Sequence, residues 1–248
     1  MNSNLKQNRI DLACALRWAA RLNLHEGVDN HFSLSVPDND GIMRGNRFLI
    51  NPYGWHWSEI TASSLVLCNE KGEILEGDNE VEDTAFFIHS RIHLETPNAV
   101  CVLHTHMPYA TSITLLENGR LEMVEQNALL FDGKIAYDDN YTGLVLDNDE
   151  GNRIAHQIGD KSILFMANHG IIVTGPTVAD AFNDLYYLER AAMVQVLAKS
   201  QGKNFRNLSE QVRQNTRQQN VLEKPKLAHR HFTALQRILD KLDPTYRH

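Results

Sequence analysis

The sequence predicts an α/β protein with a largely antiparallel sheet. Apolar runs typical of strands alternate along the chain with amphipathic helical patterns, which is the first observation behind this class. The second is that short turn signals join several of the strands, as Asn69-Glu70-Lys71-Gly72 does before Glu73-Ile74-Leu75. Strands joined by such short hairpins are typical of antiparallel sheets.

The first half of the chain predicts a helix, several strands and a second helix. An apolar stripe with helical spacing runs through residues 5–22, and polar and apolar residues alternate over 31–36 as in a half-buried strand. Further strands are predicted at 47–50, 64–68 and 73–75. Residues 83–94 predict a helix because Phe86, Phe87, Ile88 and Ile92 share one side of it.

The second half alternates strands and helices and ends in a polar stretch. Strands are predicted at 99–103, 121–124, 134–136, 162–166 and 171–173. Helices are predicted from Pro108 to about 116, over 149–158, from Thr177 to about 200 and over 227–242, with Pro108 and Thr177 at two of their starts. The polar stretch after residue 200 predicts a helix or a mobile linker.

Composition narrows the classes of function. A chain of 248 residues suits one large domain or two small ones, and its net charge of −7 argues against nucleic-acid binding. Cys14, Cys68 and Cys101 are isolated, which predicts reduced thiols and a cytoplasmic protein. The chain starts without a signal-peptide pattern, and no apolar run is long enough to span a membrane.

The pair His104 and His106 is the strongest indication of chemistry. It follows the apolar run Ala99–Leu103, and residues two apart on a strand share a face. His169 follows a second apolar run, Ile163–Ala167. Three neutral imidazoles from two strand ends would suit a divalent transition metal with an open coordination position. Strand histidines without any metal are the alternative, although buried imidazoles then need a partner for each ring nitrogen.

Three stretches together resemble the class II aldolase and adducin head-domain family: Glu26–Ser33, Pro97–His106 and Asn168–Gly170. The resemblance extends over about residues 5–199. It implies a three-layer α/β/α fold with a central, mostly antiparallel sheet. It also implies a divalent metal, Zn²⁺ in most members, on the three histidines, and a homotetramer with sites between subunits. Residues 1–200 are thus predicted to form this domain, and 201–248 a C-terminal polar linker and helix extension.

One departure from the family pattern concerns the catalytic glutamate. In the sugar-phosphate aldolases of this family, a Glu four residues before a helix histidine acts as general acid and base, whereas Ala85 precedes His89 here. The serines that bind the substrate phosphate are also missing, and Asn30-His31-Phe32-Ser33 replaces the aldolase motif Gly-Asn-x-Ser. The chain is therefore closer to the adducin-type branch, and we expect sugar-phosphate aldolase activity to be absent or feeble.

Several residues are candidates for each remaining role in the site, which are those of the general acid and of substrate binding. The candidates for the general acid are Glu82, Asp83, His31 and Tyr141. The candidates for substrate binding are Asn30, His31, His89 and Gln126, the last of which lies with Tyr141 in a segment that approaches a neighbouring subunit in the family. His31 can equally be a strand histidine bonded to backbone, and Tyr141 an ordinary amphipathic tyrosine. His93 is expected at the surface or at an interface.

These observations favour a metal-dependent lyase. It would act on a small hydroxy-carbonyl or keto-acid substrate, by aldol cleavage or decarboxylation through a metal-bound enediolate. The family also contains Fe²⁺ oxygenases, so an oxygenase on the same fold is an alternative. A non-catalytic adducin-like scaffold is a third possibility, which the retention of all three histidines disfavours.

Overall fold

The strands assemble into one sheet with the histidine-bearing segment at its centre. The computed structural model describes residues 3–96 and 98–248; Met1, Asn2 and Pro97, the first residue of the stretch Pro97–His106, lie outside the described residues. The strands are β1 (His31–Ser35), β2 (Arg47–Ile50), β3 (Val66–Asn69), β4 (Ile74–Glu76), β5 (Cys101–Thr105), β6 (Ile135–Asp138), β7 (Ile163–Met166) and β8 (Gly170–Gly175). The α-helices are α1 (Ser3–Arg21), α2 (Asp83–Glu95), α3 (Pro108–Thr114), α4 (Asn148–Ile158), α5 (Val178–Lys199) and α6 (Glu210–Leu242).

The sheet is mostly antiparallel, as predicted. Within the described ranges its eight strands lie in the order β4-β3-β2-β1-β5-β8-β7-β6. Neighbouring strands pair antiparallel except β6 and β7, which are parallel and joined through α4, the kind of crossover that a parallel pair requires. Because β5 lies between β1 and β8, the segments that carry His31, His104 and His169 meet at one region of the sheet.

Helices cover both faces of the sheet, which confirms the three-layer arrangement. On one face, Leu103 packs in the large core with residues of α1, α3 and α5. On the other face, its neighbour Val102 packs in a smaller cluster with residues of α2 and α4. This division follows the alternation of side chains along β5. It places His104, two residues beyond Val102, in the layer between the sheet and α2.

The strand predicted at residues 121–124 is wrong, since this segment is irregular. Side chains accept two of the hydrogen bonds that its backbone donates, and the eight-stranded sheet of the described residues does not include it. The amide of Leu121 donates to the hydroxyl of Tyr137 at 3.1 Å, and the amide of Glu122 donates to Oε1 of Gln195 at 2.7 Å. An apolar run predicts burial here, but these bonds fix a conformation without ladder pairing.

The polar stretch after residue 200 is mostly helix, because α6 begins at Glu210 with Ser209 as its N-cap. Its N-terminal half is held to the domain by polar contacts: Arg213 pairs with Asp132, and Lys224 pairs with Asp184. Its C-terminal half is held by buried apolar residues at helical spacing, namely Ala228, Phe232, Leu235 and Leu239. The polar residues of this stretch thus include ones that form ion pairs between the helix and the rest of the domain. The predicted boundary near residue 200, between a domain and a C-terminal extension, stays a prediction.

Candidate metal centre

The end of β5 orients the imidazoles of His104 and His106. Nδ1 of His104 donates to the carbonyl oxygen of Ile171 at 3.1 Å, which leaves the lone pair on Nε2 for another ligand. His106 follows the last residue of β5, and its Nε2 is buried with no hydrogen-bond partner in the described part of the chain. A metal ion would satisfy both nitrogens, since buried ring nitrogens are normally paired.

The third imidazole is supplied by the tight turn between β7 and β8. Asn168 adopts the left-handed region with φ of 56°, a conformation that asparagine tolerates better than most residues. A Cβ on Gly170 would lie 2.6 Å from Cδ2 of His106 and 2.7 Å from the carbonyl oxygen of Thr105. The motif Asn168-His169-Gly170 is therefore a steric requirement for bringing His169 beside the end of β5.

The three imidazoles converge as the sequence predicts. One potential ligand atom from each of His104, His106 and His169 lies within 4.8 Å of the others. The ring centroids are separated by 4.9 to 5.1 Å. Among the described residues no carboxylate or thiol joins this group. Three nitrogen ligands would leave coordination positions open on a bound ion, as catalytic metal sites do and closed structural sites do not.

Burial keeps these imidazoles neutral. It lowers the pKa of His169 to about 4, with His106 as a further cause. Burial, followed by repulsion from neighbouring histidines, also holds the pKa of His104 well below its ordinary value and lowers that of His106. All three lone pairs are therefore free of protons at neutral pH, the state in which histidine binds a metal.

Glu82 and His31 form a hydrogen-bonded pair beside this centre. His31 lies opposite His104 in the sheet, with ring centroids 5.5 Å apart, and its Nε2 is 2.5 Å from Oε2 of Glu82. Glu82 is the N-cap of α2, yet its carboxylate accepts no bond from the backbone amides of that helix and instead accepts one from the side-chain hydroxyl of Thr84 at 2.6 Å. Burial works to raise the pKa of Glu82, but the bonds from His31 and Thr84 outweigh it and lower that pKa.

Ala85 stands at the position where the family resemblance predicts a glutamate, and its surroundings are apolar. Its side chain is buried in a small apolar cluster with Phe48, Ile50, Val66 and Cys68. A carboxylate there would be desolvated among apolar side chains. Glu82, one helical turn earlier, is the carboxylate of α2 that approaches the histidine layer, whereas Asp83 is exposed.

A chain of hydrogen bonds fixes His89 and His93 under the sheet. Nδ1 of His93 is 2.8 Å from the carbonyl oxygen of Ala99, and its Nε2 is 2.8 Å from Oγ of Ser33. The same Ser33 oxygen is 2.5 Å from Nδ1 of His89. The prediction of His93 at the surface or an interface is wrong, because α2 packs its inner face on β1 and β5 and buries this side chain.

The other predicted residues differ in their distance from the centre. Asn30 is buried, and its Oδ1 accepts the backbone amides of Glu26 at 2.8 Å and His106 at 3.1 Å, while its Nδ2 has no partner in the described chain. Tyr141 is 53% exposed, with its ring centroid 6.2 Å from that of His169. Gln126 is exposed on the loop before the 3₁₀ helix Ala128–Phe131, and its predicted role in binding stays a prediction.

Sequence reasoning missed two residues that support the centre. Ser33 lies in the quoted motif, but nothing in its spacing indicates that it joins two histidines of α2. Glu189 on α5 accepts the amides of Tyr109 and Ala110, each at 2.8 Å, and so caps α3 directly after the His106 segment. Burial raises the pKa of Glu189 to about 7. The glutamate and the helix it caps are about 80 residues apart, so no local pattern indicates the contact.

None of the helices in the described ranges has the length and apolar character needed to cross a bilayer.

The chain belongs to the Class II Aldolase and Adducin N-terminal domain family, whose profile matches residues 10–196. An adducin-related protein of Schizosaccharomyces pombe is 33% identical over 252 residues, covering 96% of this chain and 76% of that protein. The crystal structure of an aldolase II superfamily protein from Pseudomonas syringae superimposes with a TM-score of 0.90 at 31% identity, covering 100% of this chain and 98% of that one.

The fold is also that of a named enzyme of the family. L-fuculose 1-phosphate aldolase from Glaciozyma antarctica has a TM-score of 0.83 at 22% identity, covering 99% of this chain and 94% of that one. At this identity the likeness shows the fold alone. The resemblance predicted from the three motifs is thus confirmed for family and architecture.

Proposed function

We propose that this protein is a metal-dependent lyase that cleaves a carbon–carbon bond in a small hydroxy-carbonyl or keto-acid substrate. The convergence of His104, His106 and His169, with ligand atoms within 4.8 Å of one another, carries the proposal. Their neutral nitrogens suit a divalent transition metal, for which we propose Zn²⁺ with Fe²⁺ as the alternative. When bound, such an ion supplies Lewis-acid stabilisation of negative charge on a substrate oxygen.

The proposed acid–base group is the pair of His31 and Glu82. Because a carboxylate accepts, Nε2 of His31 donates to Oε2 of Glu82, and Nδ1 of His31 is left buried and without a partner among the described residues. Nδ1 is then the atom that exchanges a proton with the substrate carbon. Glu82 orients the ring and fixes the nitrogen that carries the proton, which is a role that a carboxylate plays behind a catalytic histidine.

The proposed substrate class depends on which substrate groups the site can bind: oxygens at the metal, and no phosphate. Three imidazoles and an open metal position favour two oxygens of a hydroxy-carbonyl or keto-acid group. The family's phosphate-binding serines are missing from this chain, and Ala85 is buried where the aldolase carboxylate belongs. We therefore propose an unphosphorylated substrate.

A substrate screen tests this proposal. We expect purified protein loaded with Zn²⁺ to cleave or decarboxylate members of a panel of hydroxy and keto acids, and to act feebly or not at all on fuculose 1-phosphate and ribulose 5-phosphate. Protein treated with a chelator is the control. Brisk cleavage of either sugar phosphate would contradict the assignment of substrate class, and equal turnover with and without metal would contradict the proposed chemistry.

We also propose that the protein is a homo-oligomer, a tetramer by family resemblance. The segment after β6 presents exposed apolar side chains, with Tyr141, Leu144 and Leu146 exposed by 53, 73 and 60%, and the ring of Tyr141 lies near that of His169. Exposed apolar groups in sequence and close to a candidate site are typical of contact surfaces. Light scattering at micromolar concentration should give several times the chain mass of 28.2 kDa, and a monomer alone would contradict a site shared between subunits.

The adducin-like scaffold is the second candidate, and the 33% identity to an adducin-related protein favours it. A scaffold needs neither the histidine triad nor the hydrogen-bonded pair of Glu82 and His31, so metal binding separates the two functions. An oxygenase would differ from a lyase in containing Fe²⁺ and consuming dioxygen. Cytoplasmic location stays a prediction.

A further inference from the structure

We infer that Nε2 of His89 is a hydrogen-bond acceptor that binds a neutral hydroxyl group of the substrate. The fold itself fixes which nitrogen of His89 carries the proton. The assignment of the donor to a substrate hydroxyl rests on the proposed function.

His89, Ser33, His93 and Ala99 are joined by successive hydrogen bonds, and the direction of each bond follows from the carbonyl oxygen of Ala99 at one end. A carbonyl oxygen only accepts, so Nδ1 of His93 must donate to Ala99, and the lone pair of a neutral His93 then lies on Nε2. The hydroxyl of Ser33 has a single proton, which it donates to that lone pair at 2.8 Å. The oxygen of Ser33 must therefore accept from Nδ1 of His89 at 2.5 Å.

These hydrogen-bond directions leave His89 with its proton on Nδ1 and its lone pair on Nε2. Complete burial holds the pKa of His89 well below its ordinary value, and burial lowers that of His93 to about 4, so both rings are neutral. Nε2 of His89 is buried and meets no donor in the described part of the chain. An unpaired buried acceptor is unfavourable, and a ligand that donates a hydrogen bond to it removes that cost.

The ring of His31 contacts both His89 and His104 of the candidate metal centre. The ring of His89 meets that of His31 edge-on, with centroids 5.7 Å apart and planes at 86°. His31 in turn stacks on His104 at 5.5 Å. Nδ1 of His31 is also buried without a partner, so two unpaired ring nitrogens belong to neighbouring rings of this layer.

The charge of the site selects the donor. A phosphate or carboxylate would present lone pairs to the lone pair of His89 and would be repelled. An ammonium group would be repelled by the divalent ion of the proposed centre. A hydroxyl group donates without a net charge. We therefore assign this position to a hydroxyl beyond the two oxygens that the metal would bind, and thus to a polyhydroxylated substrate.

The tautomer can be measured without a substrate. In metal-free protein labelled with ¹⁵N in histidine, we expect the spectrum of His89 to show an unprotonated Nε2 and a protonated Nδ1. Replacement of Ser33 by alanine should abolish this single tautomer, because Nδ1 loses its acceptor. A protonated Nε2 on His89 in the unmodified protein would overturn the inference.

The hydroxyl is tested with straight-chain polyhydroxy acids from glycerate to gluconate, each compared with the counterpart that lacks its terminal hydroxyl. In the Zn²⁺-loaded protein we expect, at one chain length, about tenfold tighter binding of the hydroxylated acid, measured by calorimetry. His89→Phe should remove this difference and keep the metal, and His156→Phe, an exposed residue of α4, is the matched control.

The outcomes separate the inference from the proposed function. Equal binding of hydroxylated and deoxy acids at every length would overturn the inference and leave the lyase proposal standing. Binding of neither acid, with Nε2 of His89 unprotonated, would overturn the proposed function and the assignment of the hydroxyl to a substrate. Because the comparison of acids is made on the unmodified protein, it does not depend on whether His89→Phe folds.

Discussion

Replacement of His169 by alanine is expected to reduce bound metal from about one ion per chain to a small fraction of that. The two remaining imidazoles come from one strand end, and nothing in the described residues replaces the third ligand. Loss of a residue that merely orients a ligand typically weakens metal binding about 10–100-fold, so loss of a ligand should exceed this. Metal content after dialysis against Zn²⁺, measured by mass spectrometry on untagged protein, gives the result.

His156→Ala is the matched control for this experiment. His156 is an exposed histidine of α4, outside the layer of β1 and β5, and its loss should leave metal content unchanged. His104→Ala and His106→Ala should behave like the His169 variant, since each supplies one of the three nitrogens. Full metal occupancy in folded His169→Ala would contradict the site.

The second large effect is expected for Glu82→Gln. The amide keeps the volume of the side chain but removes the negative charge that faces Nε2 of His31. We expect turnover of the acid substrates to fall by about 10²–10⁴-fold, the usual contribution of general acid–base catalysis. Metal content should not change, because Glu82 is not among the grouped ligands. Steady-state kinetics on the best substrate of the screen provides the measurement.

Asp83→Asn tests whether any loss of charge at the start of α2 has this effect. Asp83 is adjacent but exposed, so its variant should retain nearly full turnover. If Glu82→Gln and Asp83→Asn both keep the turnover of the unmodified protein, the carboxylate of Glu82 has no part in proton transfer. A large loss in both would indicate an effect on the helix and not on His31.

The family could be predicted from three short motifs, the three-layer fold from the family resemblance that those motifs carry, and the convergence of the histidine triad from local pattern. The apolar run before His104 indicates a strand that is buried on both faces, and the two-residue period then places His104 on the same side as Val102. Asn168 and Gly170 are recognisable for the same reason, since the turn needs a residue that tolerates positive φ and another without a Cβ.

The features that escaped prediction depend on contacts between distant segments. The bond between His31 and Glu82 joins residues 51 positions apart, and no spacing rule indicates it. His93 has the pattern of a helix residue near an end, but Ser33 and Ala99 bury it. The strand at 121–124 is wrongly predicted for a related reason. Its apolar residues fit a strand pattern, but the distant side chains of Tyr137 and Gln195 accept hydrogen bonds from its backbone.

X-ray absorption at the metal edge of the untagged, purified protein tests the central claim most directly. We predict one divalent ion per chain with three imidazole nitrogens at about 2.0–2.1 Å and oxygen in the remaining positions. Addition of a substrate acid should change the oxygen shell and leave the three imidazoles in place. A sulfur ligand, a shell with one imidazole or none, or a protein that retains no metal would contradict a catalytic centre on His104, His106 and His169.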